Sequence, residues 1–463
     1  MEFVNRVAEL DALRGALGEG VPALIRVYGR RRLGKTEVLQ KLTQELGGVY
    51  LLVDDADTTQ VLASLSRQLA VETDTLAVPF RSWDDFYAHL MATIPSKFVV
   101  LDEFQRLVEN DRQAVTRLQD QWDRRLRREG PSIVLCGSSV GMMQRLTSGR
   151  KGPLFGRLTR DLRLRAFDYA AVRLLYPAIS ELDRVRRYAV FGGTPFYHQF
   201  SVSRSLPEAI RAAFLESTSP LRDEPQSLLQ FELKAHTRYN SILYEIGNGT
   251  HKLAELEKKI SVKHGGLGPY MEVLKHDLDL VAMEEPVCGM KKQNRYVMTD
   301  PFFAFYYRFI FRDRPRLELG RVDAVLSDVL KDLDGYVGHI YEDVVRQALK
   351  TINGGAIRGV EIDFEQIGRW WNKAGEELDV VALGEREILA GEVKMNAAPA
   401  GPAVLQDILR KTDLMEKTYS KPIRPLIACA GGLTPEARIE ADKAKAITLS
   451  LEDISSIFDG RIP

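Results

Sequence analysis

The stretch RVYGRRRLGKTEVLQ, residues 26–40, joins a short apolar segment to a helical pattern through a loop rich in arginine and glycine. Residues 29–36 match GxxxxGK[ST] in full and stand between a predicted strand and a predicted helix. Glycines let backbone N–H groups turn toward phosphate oxygens, and the helix N-terminus adds partial positive charge. The alternative is a basic turn that matches by chance. The context favours a nucleotide-binding loop.

The residue types in this loop indicate separate tasks. Lys35 is expected to reach the β- and γ-phosphates, and the Thr36 hydroxyl is expected to be a ligand of Mg²⁺. The arginine run fills the variable positions, so its charge is expected to act near phosphates or in packing and not on nucleic acid. The predicted nucleotide-binding residues of the loop are Gly29, Arg30, Arg31, Arg32, Leu33, Gly34, Lys35, Thr36 and Glu37.

A second apolar segment, KFVVLDE at 97–103, ends in two carboxylates. A carboxylate at the C-terminal end of such a strand can hold the Mg²⁺ shell, which is the task predicted for Asp102. Glu103 is then placed to polarise an attacking water as a general base. The alternative is an exposed acidic pair that closes a strand.

Two further polar elements follow. The segment SIVLCGSS (132–139) ends in Ser138, whose hydroxyl could hydrogen-bond the γ-phosphate or the attacking water; the alternative is a simple strand-to-loop turn. GPLFGRLTR (152–160) contains Arg157 and Arg160. A guanidinium there, Arg157 in our assignment, could reach a γ-phosphate in its own or a neighbouring subunit, so a homo-oligomer is among the expectations. The alternative is that these are ordinary surface arginines.

Between about residues 20 and 168, short apolar runs alternate with longer helical patterns. This alternation predicts a parallel sheet flanked by helices. The predicted strands are 23–29, 48–54, 97–103, 132–139 and 160–167.

Length and composition limit the class of protein. A chain of 463 residues predicts about three domains. Lys and Arg balance Asp and Glu at 64 each, so attraction to nucleic acid or membrane must come from local patches. Three separated cysteines form no disulfide framework, which predicts a reducing cytoplasm. The N-terminal MEFVNRVAEL is unlike a signal peptide, and no apolar run approaches the ~20 residues that span a bilayer, so no membrane partner is expected.

Six motifs in order make a resemblance specific. They are FVNRVAELDAL (3–13), VYGRRRLGKTEVL (27–39), VVLDEFQ (99–105), VLCGSSVGMM (134–143), GPLFGRLT (152–159) and FGGTPFY (191–197). In this order they resemble the archaeal-type ATPase family within the AAA+/STAND P-loop group. The resemblance implies a strand inserted between the Walker segments, a helical lid, and ATP as the ligand. It further implies that FVNRVAEL lies near the adenine and that Gly192, Gly193 and Pro195 lie in the lid facing the nucleotide.

Residues 235–300 resemble a winged helix-turn-helix, with GPYMEVLKHDLDLV (268–281) as the candidate recognition helix. A DNA-binding wing should be visibly basic, and MKKQNRY (290–296) could be such a wing. The candidate helix carries Lys275 and His276 beside Asp277 and Asp279, so the alternative of an interdomain or protein–protein scaffold stays open. The aromatic run DPFFAFYYRFIF (300–311) is expected to pack in a core or between domains, and the alternative is a stacking platform for bases.

The C-terminal part places Asp379 on one predicted strand and Glu392-x-Lys394 on the next. Segment 368–396 is predicted to form two strands joined by a polar turn. Glu392 and Lys394 project from one side of their strand, because side chains alternate. Two carboxylates and a lysine suit Mg²⁺-assisted phosphodiester hydrolysis, with Glu342 on the preceding helix as a further ligand. The alternative is a salt-bridged surface.

This pattern resembles the PD-(D/E)xK restriction-endonuclease-like fold, with Leu378 standing where the nominal motif has proline. The predicted fold class is α/β: a P-loop NTPase with an AAA+-like parallel sheet, a helical lid, a winged-helix module and a restriction-endonuclease-like α/β domain. The predicted boundaries are 1–168, 169–230, 231–325 and 326–463. The predicted function is ATP binding and hydrolysis coupled to DNA binding and DNA cleavage, with ATP and Mg²⁺ as cofactors. The alternative is a nucleotide-switched signalling or assembly protein whose nuclease-like domain is inactive.

Overall fold

The computed structural model describes residues 3–95, 97–147, 152–233, 236–288, 293–419 and 421–461. The chain divides into two compact units. The first contains residues 1–166 and 276–278, and the second contains 167–275 and 279–463. The finer division into four domains remains a prediction, with three of them falling almost entirely in the second unit.

The described residues form 22 α-helices and 14 strands. The helices are α1 Val7–Gly18, α2 Lys35–Leu46, α3 Thr58–Thr73, α4 Trp83–Thr93, α5 Gln105–Asn110, α6 Arg112–Gln121, α7 Arg127–Glu129, α8 Val140–Arg145, α9 Tyr169–Arg173, α10 Glu181–Phe191, α11 Pro195–His198, α12 Leu206–Ile210, α13 Glu224–Glu232, α14 His236–Gly247, α15 Leu253–Lys259, α16 Gly268–Glu272, α17 Pro301–Phe305, α18 Arg314–Glu318, α19 Val322–Thr351, α20 Pro402–Tyr419, α21 Pro435–Lys443 and α22 Leu451–Phe458. The strands are β1 Leu24–Tyr28, β2 Val49–Leu52, β3 Phe98–Asp102, β4 Ser132–Gly137, β5 Arg160–Arg163, β6 Val281–Glu284, β7 Arg295–Met298, β8 Gly355–Ile357, β9 Val360–Ile362, β10 Gln366–Trp371, β11 Glu377–Leu383, β12 Ile388–Lys394, β13 Ile423–Cys429 and β14 Ile447–Leu449.

The first unit is built on a five-stranded sheet in the order β2-β3-β4-β1-β5. Every neighbouring pair is parallel, which confirms the sheet predicted from the alternating pattern. Strand β4 lies between β1 and β3, as the resemblance implied. Since side chains alternate along β1, Leu24 and Tyr28 enter one apolar cluster, and Ile25 and Val27 enter the cluster on the other face.

The second unit begins with the helical segment predicted to be a lid. Gly192 follows α10 with a φ of 65°, and Pro195 begins α11. Gly193 has no room for a side chain, because a Cβ there would overlap the carbonyl oxygen of Phe167. That these residues face the nucleotide remains a prediction.

Helices α14 to α16 and the antiparallel pair β6 and β7 occupy residues 236–298. The aromatic run that follows is buried, which confirms the predicted core packing. Its fully buried rings include Phe302, Phe303, Phe305, Tyr306 and Tyr307.

A second five-stranded sheet has the order β10-β11-β12-β13-β14. Strands β10 to β12 are antiparallel neighbours, whereas β12, β13 and β14 run parallel. Our prediction of two strands in 368–396 was wrong: β10, β11 and β12 occupy this region. It contains two polar turns, at 372–376 and 384–387, and each one reverses the chain.

The edge strand β10 is covered by the segment that follows β6. The N–H of Val287 donates to the carbonyl oxygen of Arg369 (2.8 Å), and Trp371 Nε1 donates to the carbonyl oxygen of Gln293 (3.0 Å). Val287 also packs with Trp370 in the apolar core of this sheet. This cover satisfies backbone groups that an open sheet edge would leave exposed.

Candidate functional site

The phosphate-loop motif occupies the turn between β1 and α2. Gly29 has a φ of 156°, and a Cβ there would overlap the carbonyl oxygen of Leu164. Gly34 precedes the helix with a φ of 87°. These backbone conformations favour glycine, so the two glycines of the motif have a structural reason as well as a chemical one.

Lys35 is the first residue of α2, and its side chain is turned back into the loop. Its Nζ donates hydrogen bonds to the carbonyl oxygens of Gly29 and Arg30, both at 2.9 Å. The Lys35 residue is only 6% exposed. A buried ammonium within hydrogen-bonding reach of the loop backbone is suited to bind phosphate oxygens.

The rest of the motif divides between interior and surface. Arg30 and Leu33 are buried, whereas Arg31, Arg32 and Glu37 are exposed. Burial is consistent with the packing role expected for Arg30. All five assignments to nucleotide binding remain predictions.

Arg6 supports the loop from outside, and our sequence analysis did not assign it a role. Its Nη2 donates to the carbonyl oxygens of Leu33 (3.0 Å) and Arg165 (2.8 Å), and its Nη1 pairs with Glu9 (2.7 Å). The Arg6 residue is 5% exposed. The sequence contained a signal for Arg6, because this residue belongs to the first of the six motifs. Its partners could not be predicted, because they lie far along the chain.

Asp102 ends β3 beside the loop. The Thr36 hydroxyl donates to Asp102 Oδ2 (3.1 Å), and the Glu103 N–H donates to Oδ1 (2.8 Å). Tyr50, on the neighbouring strand β2, also donates its hydroxyl to Oδ2. Burial first, and the negative charge of Asp102 second, raise the pKa of Tyr50 far above its ordinary value, so this hydroxyl remains a donor.

Glu103 has a left-handed backbone conformation, with a φ of 57°. Its Oε2 accepts hydrogen bonds from the Gln105 amide and from the Ser138 hydroxyl (3.0 Å). The Gln105 amide also contacts Ser138 Oγ (3.1 Å), and its Oε1 accepts from the Ser138 N–H (3.2 Å). The structure thus brings Glu103 and Ser138 together, and it adds Gln105, which sequence reasoning missed.

This oxygen-rich arrangement fits Mg²⁺ and a phosphate. The Thr36 hydroxyl and the Asp102 carboxylate already lie in contact, and both are ligand types that Mg²⁺ prefers. The Lys35 ammonium is the positive charge in this loop that is expected to bind phosphate oxygens. The nucleotide and metal roles themselves remain predictions.

Arg157 is held by an acidic partner on the same unit. Its Nη2 lies 2.7 Å from Asp123 Oδ2, and its Nε lies 3.0 Å from Oδ1. This hydrogen bond is the main cause that raises the pKa of Arg157 and lowers that of Asp123. Arg160 pairs with Glu19 (3.1 Å). A role of Arg157 at a γ-phosphate would require it to leave Asp123.

A second polar cluster, here called the acidic site, is formed by Glu342, Asp379, Glu392 and Lys394. Strands β11 and β12 pair with Val380 opposite Gly391, which brings Asp379 beside the Glu392 end of β12. Asp379 Oδ2 accepts from the N–H of Val393 (2.9 Å), and Lys394 Nζ donates to Glu392 Oε2 (2.7 Å). The structure therefore brings the predicted residues together.

Glu342 joins the acidic site from α19. Arg369 Nη2 donates to Glu342 Oε2 (2.7 Å), and His339 Nδ1 lies 3.2 Å from Oε1. Although burial raises the pKa of Glu342, these two partners hold it below its ordinary value. The Arg369 guanidinium also reaches Glu284 (3.1 Å), on strand β6.

Asp379 feels the charges of Glu342, Glu392 and Lys394 in the acidic site. Burial first, and the charges of Glu342 and Glu392 next, raise the pKa of Asp379 to about 7. Crowded carboxylates of this kind fit a divalent cation, which would neutralise them. Within the described ranges, however, no three His, Cys, Asp or Glu residues already stand as a metal-holding group.

Glu392 has a second partner that sequence analysis did not predict. Lys411 of α20 donates to Glu392 Oε1 (2.7 Å), so Lys394 and Lys411 bind one oxygen each. Lys411 and Arg369 had no sequence signal, because nothing local links them to the acidic site.

The predicted wing lies partly outside the described residues, since 289–292 are not described. Arg295, at the start of β7, pairs with Glu377 (2.9 Å) and lies over the Trp371 ring at 4.3 Å from its centroid. One of the basic residues considered for DNA is therefore engaged in a protein contact.

Among the described helices, none is both long and apolar enough to cross a membrane.

Comparisons with known proteins match both parts of the chain. Residues 3–197 match a family described as an ATPase domain predominantly from Archaea. Residues 306–404 match a family of archaeal and bacterial proteins of unknown function, and this range includes all four residues of the acidic site. A relative from Methanocaldococcus jannaschii, the uncharacterized protein MJECL04, is 28% identical over 429 residues, which are 90% of this chain and 94% of the relative.

Solved structures resemble the fold. The Walker-type ATPase PABY2304 of Pyrococcus abyssi covers 66% of this chain and 96% of its own, with a TM-score of 0.50 and 17% identity. The ORC2 protein of Aeropyrum pernix, solved in ADPNP and ADP complexes, covers 71% and 96%, with a TM-score of 0.43 and 14% identity. At this level of identity the likeness to PABY2304 shows the fold alone.

Proposed function

We propose that this chain, whose residues 3–197 match a family described as an ATPase domain predominantly from Archaea, hydrolyses ATP with Mg²⁺. The observation that carries the proposal is the contact of the Thr36 hydroxyl with Asp102 (3.1 Å) beside a loop that contains the buried Lys35. The three groups supply a metal ligand pair and a phosphate-binding cation within one site.

Each residue has a task in the proposed reaction. Lys35 exchanges its bonds to the loop carbonyls for phosphate oxygens. Thr36 and Asp102 would hold Mg²⁺, which supplies charge stabilisation to the phosphates when it is bound. Glu103 takes the proton of the attacking water, and Ser138 and the Gln105 amide orient its carboxylate.

Two substitutions separate binding from hydrolysis. Lys35→Ala should abolish ATP binding, whereas Glu103→Gln should bind ATP as the wild type does and stop turnover. Fluorescent-nucleotide titration and phosphate release measure the two properties. Glu109→Gln is the matched control, because it makes the same change at an exposed position on α5. Hydrolysis by Glu103→Gln at the wild-type rate would show that the base is misassigned.

We propose as a second activity that the acidic site cleaves phosphodiester bonds with a divalent cation. Three carboxylates and a lysine meet there, and the raised pKa of Asp379 points to negative charge that a cation would neutralise. Asp379, Glu392 and Glu342 would hold the metal, and Lys394 would steady a hydroxide or the developing charge. The order of strands β10 to β13, with α19 before them and α20 crossing from β12 to β13, supports a nuclease-like fold.

The test is incubation of plasmid and single-stranded DNA with Mg²⁺ or Mn²⁺, with ATP, with ADP and without nucleotide. Cutting that Lys394→Ala abolishes supports the nuclease. Lys417→Ala is the control, since Lys417 is an exposed lysine on α20 paired with Asp413. If no condition gives cutting, the nucleotide-switched assembly protein with an inactive domain becomes the better description. ATP-dependent changes in oligomeric state would then be the property to measure.

DNA binding through residues 236–298 is a separate proposal. Helices followed by a hairpin are the order of a winged helix, and Lys252, Lys258 and Lys263 are exposed there. Electrophoretic shifts at increasing salt, compared with Lys258→Glu and Lys263→Glu, test whether these residues contact phosphates. Shifts that neither variant weakens would favour the scaffold interpretation, which the engagement of Arg295 with Glu377 also supports.

A further inference from the structure

Arg26 is a buried arginine in the middle of β1, and our sequence analysis did not assign it a role. The strand ends at Tyr28, directly before the GxxxxGK[ST] motif. Since side chains alternate, Arg26 projects from the same face of the sheet as Leu24 and Tyr28, which both belong to an apolar cluster. The Arg26 residue is only 3% exposed. A charge is costly to bury without partners, so the partners of this guanidinium indicate what it does.

The first partner of Arg26 lies on the neighbouring strand β5, where the register places Asp161 opposite Arg26. Arg26 Nε donates to Asp161 Oδ1 (2.9 Å), and Nη2 donates to Oδ2 (2.5 Å), so the guanidinium and the carboxylate make a two-point contact. The guanidinium also lies over the Tyr28 ring, at 4.6 Å from its centroid. These contacts hold the planar group in one orientation.

The remaining nitrogen of the Arg26 guanidinium reaches helix α8. Nη1 donates to the carbonyl oxygen of Met143, in the last turn of α8, and to the Thr147 hydroxyl (2.8 Å), just beyond the helix. Carbonyl groups in the last turn of a helix lack their usual intrahelical partner, and a cation is favoured at this end. Arg26 therefore ties the C-terminal end of α8 to strands β1 and β5.

Helix α8 lies next to the groups that hold the proposed base. It begins two residues after Ser138, whose hydroxyl donates to Glu103. The Met143 side chain packs against the end of β4, since a Cβ at Gly137 would lie 2.5 Å from Met143 Sδ and 2.7 Å from Gln105 Oε1. The Gln105 amide in turn contacts Glu103 and Ser138. A shift of α8 would therefore disturb both groups that orient the Glu103 carboxylate.

We propose that Arg26 is a positioning residue of the hydrolytic site, which fixes α8 so that Ser138 and Gln105 hold Glu103 in place for the attacking water. This inference rests on the proposed ATP hydrolysis with Glu103 as the general base. It gives a buried charge on an apolar face of the sheet a reason beyond packing.

The contacts of Arg26 predict which kinetic property depends on it. Its hydrogen bonds go to Asp161, Met143 and Thr147, none of which is assigned to phosphate or Mg²⁺. Turnover should therefore depend on Arg26, whereas nucleotide affinity should not. Arg26→Lys keeps the positive charge, but it replaces four hydrogen bonds from three nitrogens by those of a single nitrogen.

The test compares ATP hydrolysis and fluorescent-nucleotide binding in the full chain. For Arg26→Lys we expect kcat to fall on the order of tenfold, with nucleotide affinity retained. Arg14→Lys is the matched control, because Arg14 on α1 also pairs with carboxylates, those of Asp11 and Glu45. This control should hydrolyse ATP as the wild type does.

A double-mutant cycle separates positioning from a general loss of structure. Arg26→Lys should cost much less turnover in the Gln105→Leu background than in the wild type, because Gln105→Leu has already released the Glu103 carboxylate. A merely structural role predicts the same fold-loss of kcat in both backgrounds. That result, or an unchanged kcat in Arg26→Lys, overturns the proposal.

Two further outcomes are decisive. If Glu103→Gln hydrolyses ATP at the wild-type rate, the proposed base fails and this inference fails with it; equal losses beside an inactive Glu103→Gln overturn the inference alone. Should Arg26→Lys fold poorly by circular dichroism, Thr147→Val replaces it in the cycle, because it removes one acceptor of Arg26 and keeps the shape of the side chain. An unchanged kcat in Thr147→Val then overturns the proposal.

Discussion

The raised pKa of Asp379 predicts how the stability of the C-terminal sheet depends on pH. An Asp carboxyl has an ordinary pKa of 3.8, and burial beside Glu342 and Glu392 raises the pKa of Asp379 to about 7. The folded protein therefore holds this proton more tightly than the unfolded chain does. The contribution of this proton to the free energy of unfolding is complete below pH 4, and it is lost as the pH rises to 7.

The size of this effect follows from the pKa difference. About three pKa units at about 1.4 kcal/mol each amount to about 4 kcal/mol lost between pH 4 and pH 7. Asp379→Asn carries no proton to lose, and its side-chain oxygen can still accept the Val393 N–H. The urea midpoint of the wild type should fall by about 1–2 M over this range because of Asp379, and that part of the fall should be absent in the variant.

The assay uses tryptophan fluorescence during urea unfolding from pH 4.5 to 8.5, with EDTA to remove divalent cations. The chain has four tryptophans, so replacing Trp83 and Trp122 by Phe leaves Trp370 and Trp371 of β10 as reporters. Asp413→Asn, at an exposed position on α20, is the control and should behave as the wild type does. Parallel curves for the wild type and Asp379→Asn would refute the reasoning, because they would mean that the carboxyl is not perturbed.

Three further predictions concern the proposed nucleotide site of the first unit. Tyr50→Phe removes a hydrogen-bond donor to Asp102, so the Mg²⁺ concentration needed for half-maximal hydrolysis should rise several-fold. Nucleotide binding in EDTA should stay unchanged. An unchanged Mg²⁺ requirement would exclude a role of Tyr50 in positioning Asp102. Gly29→Ala would overlap the Leu164 carbonyl, so nucleotide affinity should fall by at least tenfold in a titration, and normal affinity would mean that the loop does not hold this conformation. Gln105→Leu removes the amide that orients the proposed base, so kcat should fall on the order of tenfold with KM retained; a change in KM alone would contradict this.

Much of the first unit was predictable from sequence, because its signals are local. All five predicted strands are present, and the GxxxxGK[ST] motif lies between β1 and α2 as predicted. Strands β1, β3 and β4 are buried along their whole length within a parallel sheet, so their apolar runs are distinct from the polar helical segments around them. The number of strands in 368–396 was harder to predict, because the short polar turn at 372–376, between β10 and β11, is a weak signal.

The sequence by itself predicted which residues would carry the chemistry: the GK[ST] loop, the acidic pair at 102–103, and the Asp379 and Glu392-x-Lys394 pattern. Only the tertiary structure decided which partners control them. Arg6 reaches the carbonyl of a residue 159 positions away, and Lys411 reaches Glu392 across 19 positions. The physical reason is that a motif depends on neighbours in the chain, whereas burial and charge at a site depend on every segment that packs against it. Folding therefore sets the pKa of Asp379 and the occupancy of Glu392, and no local pattern encodes either one.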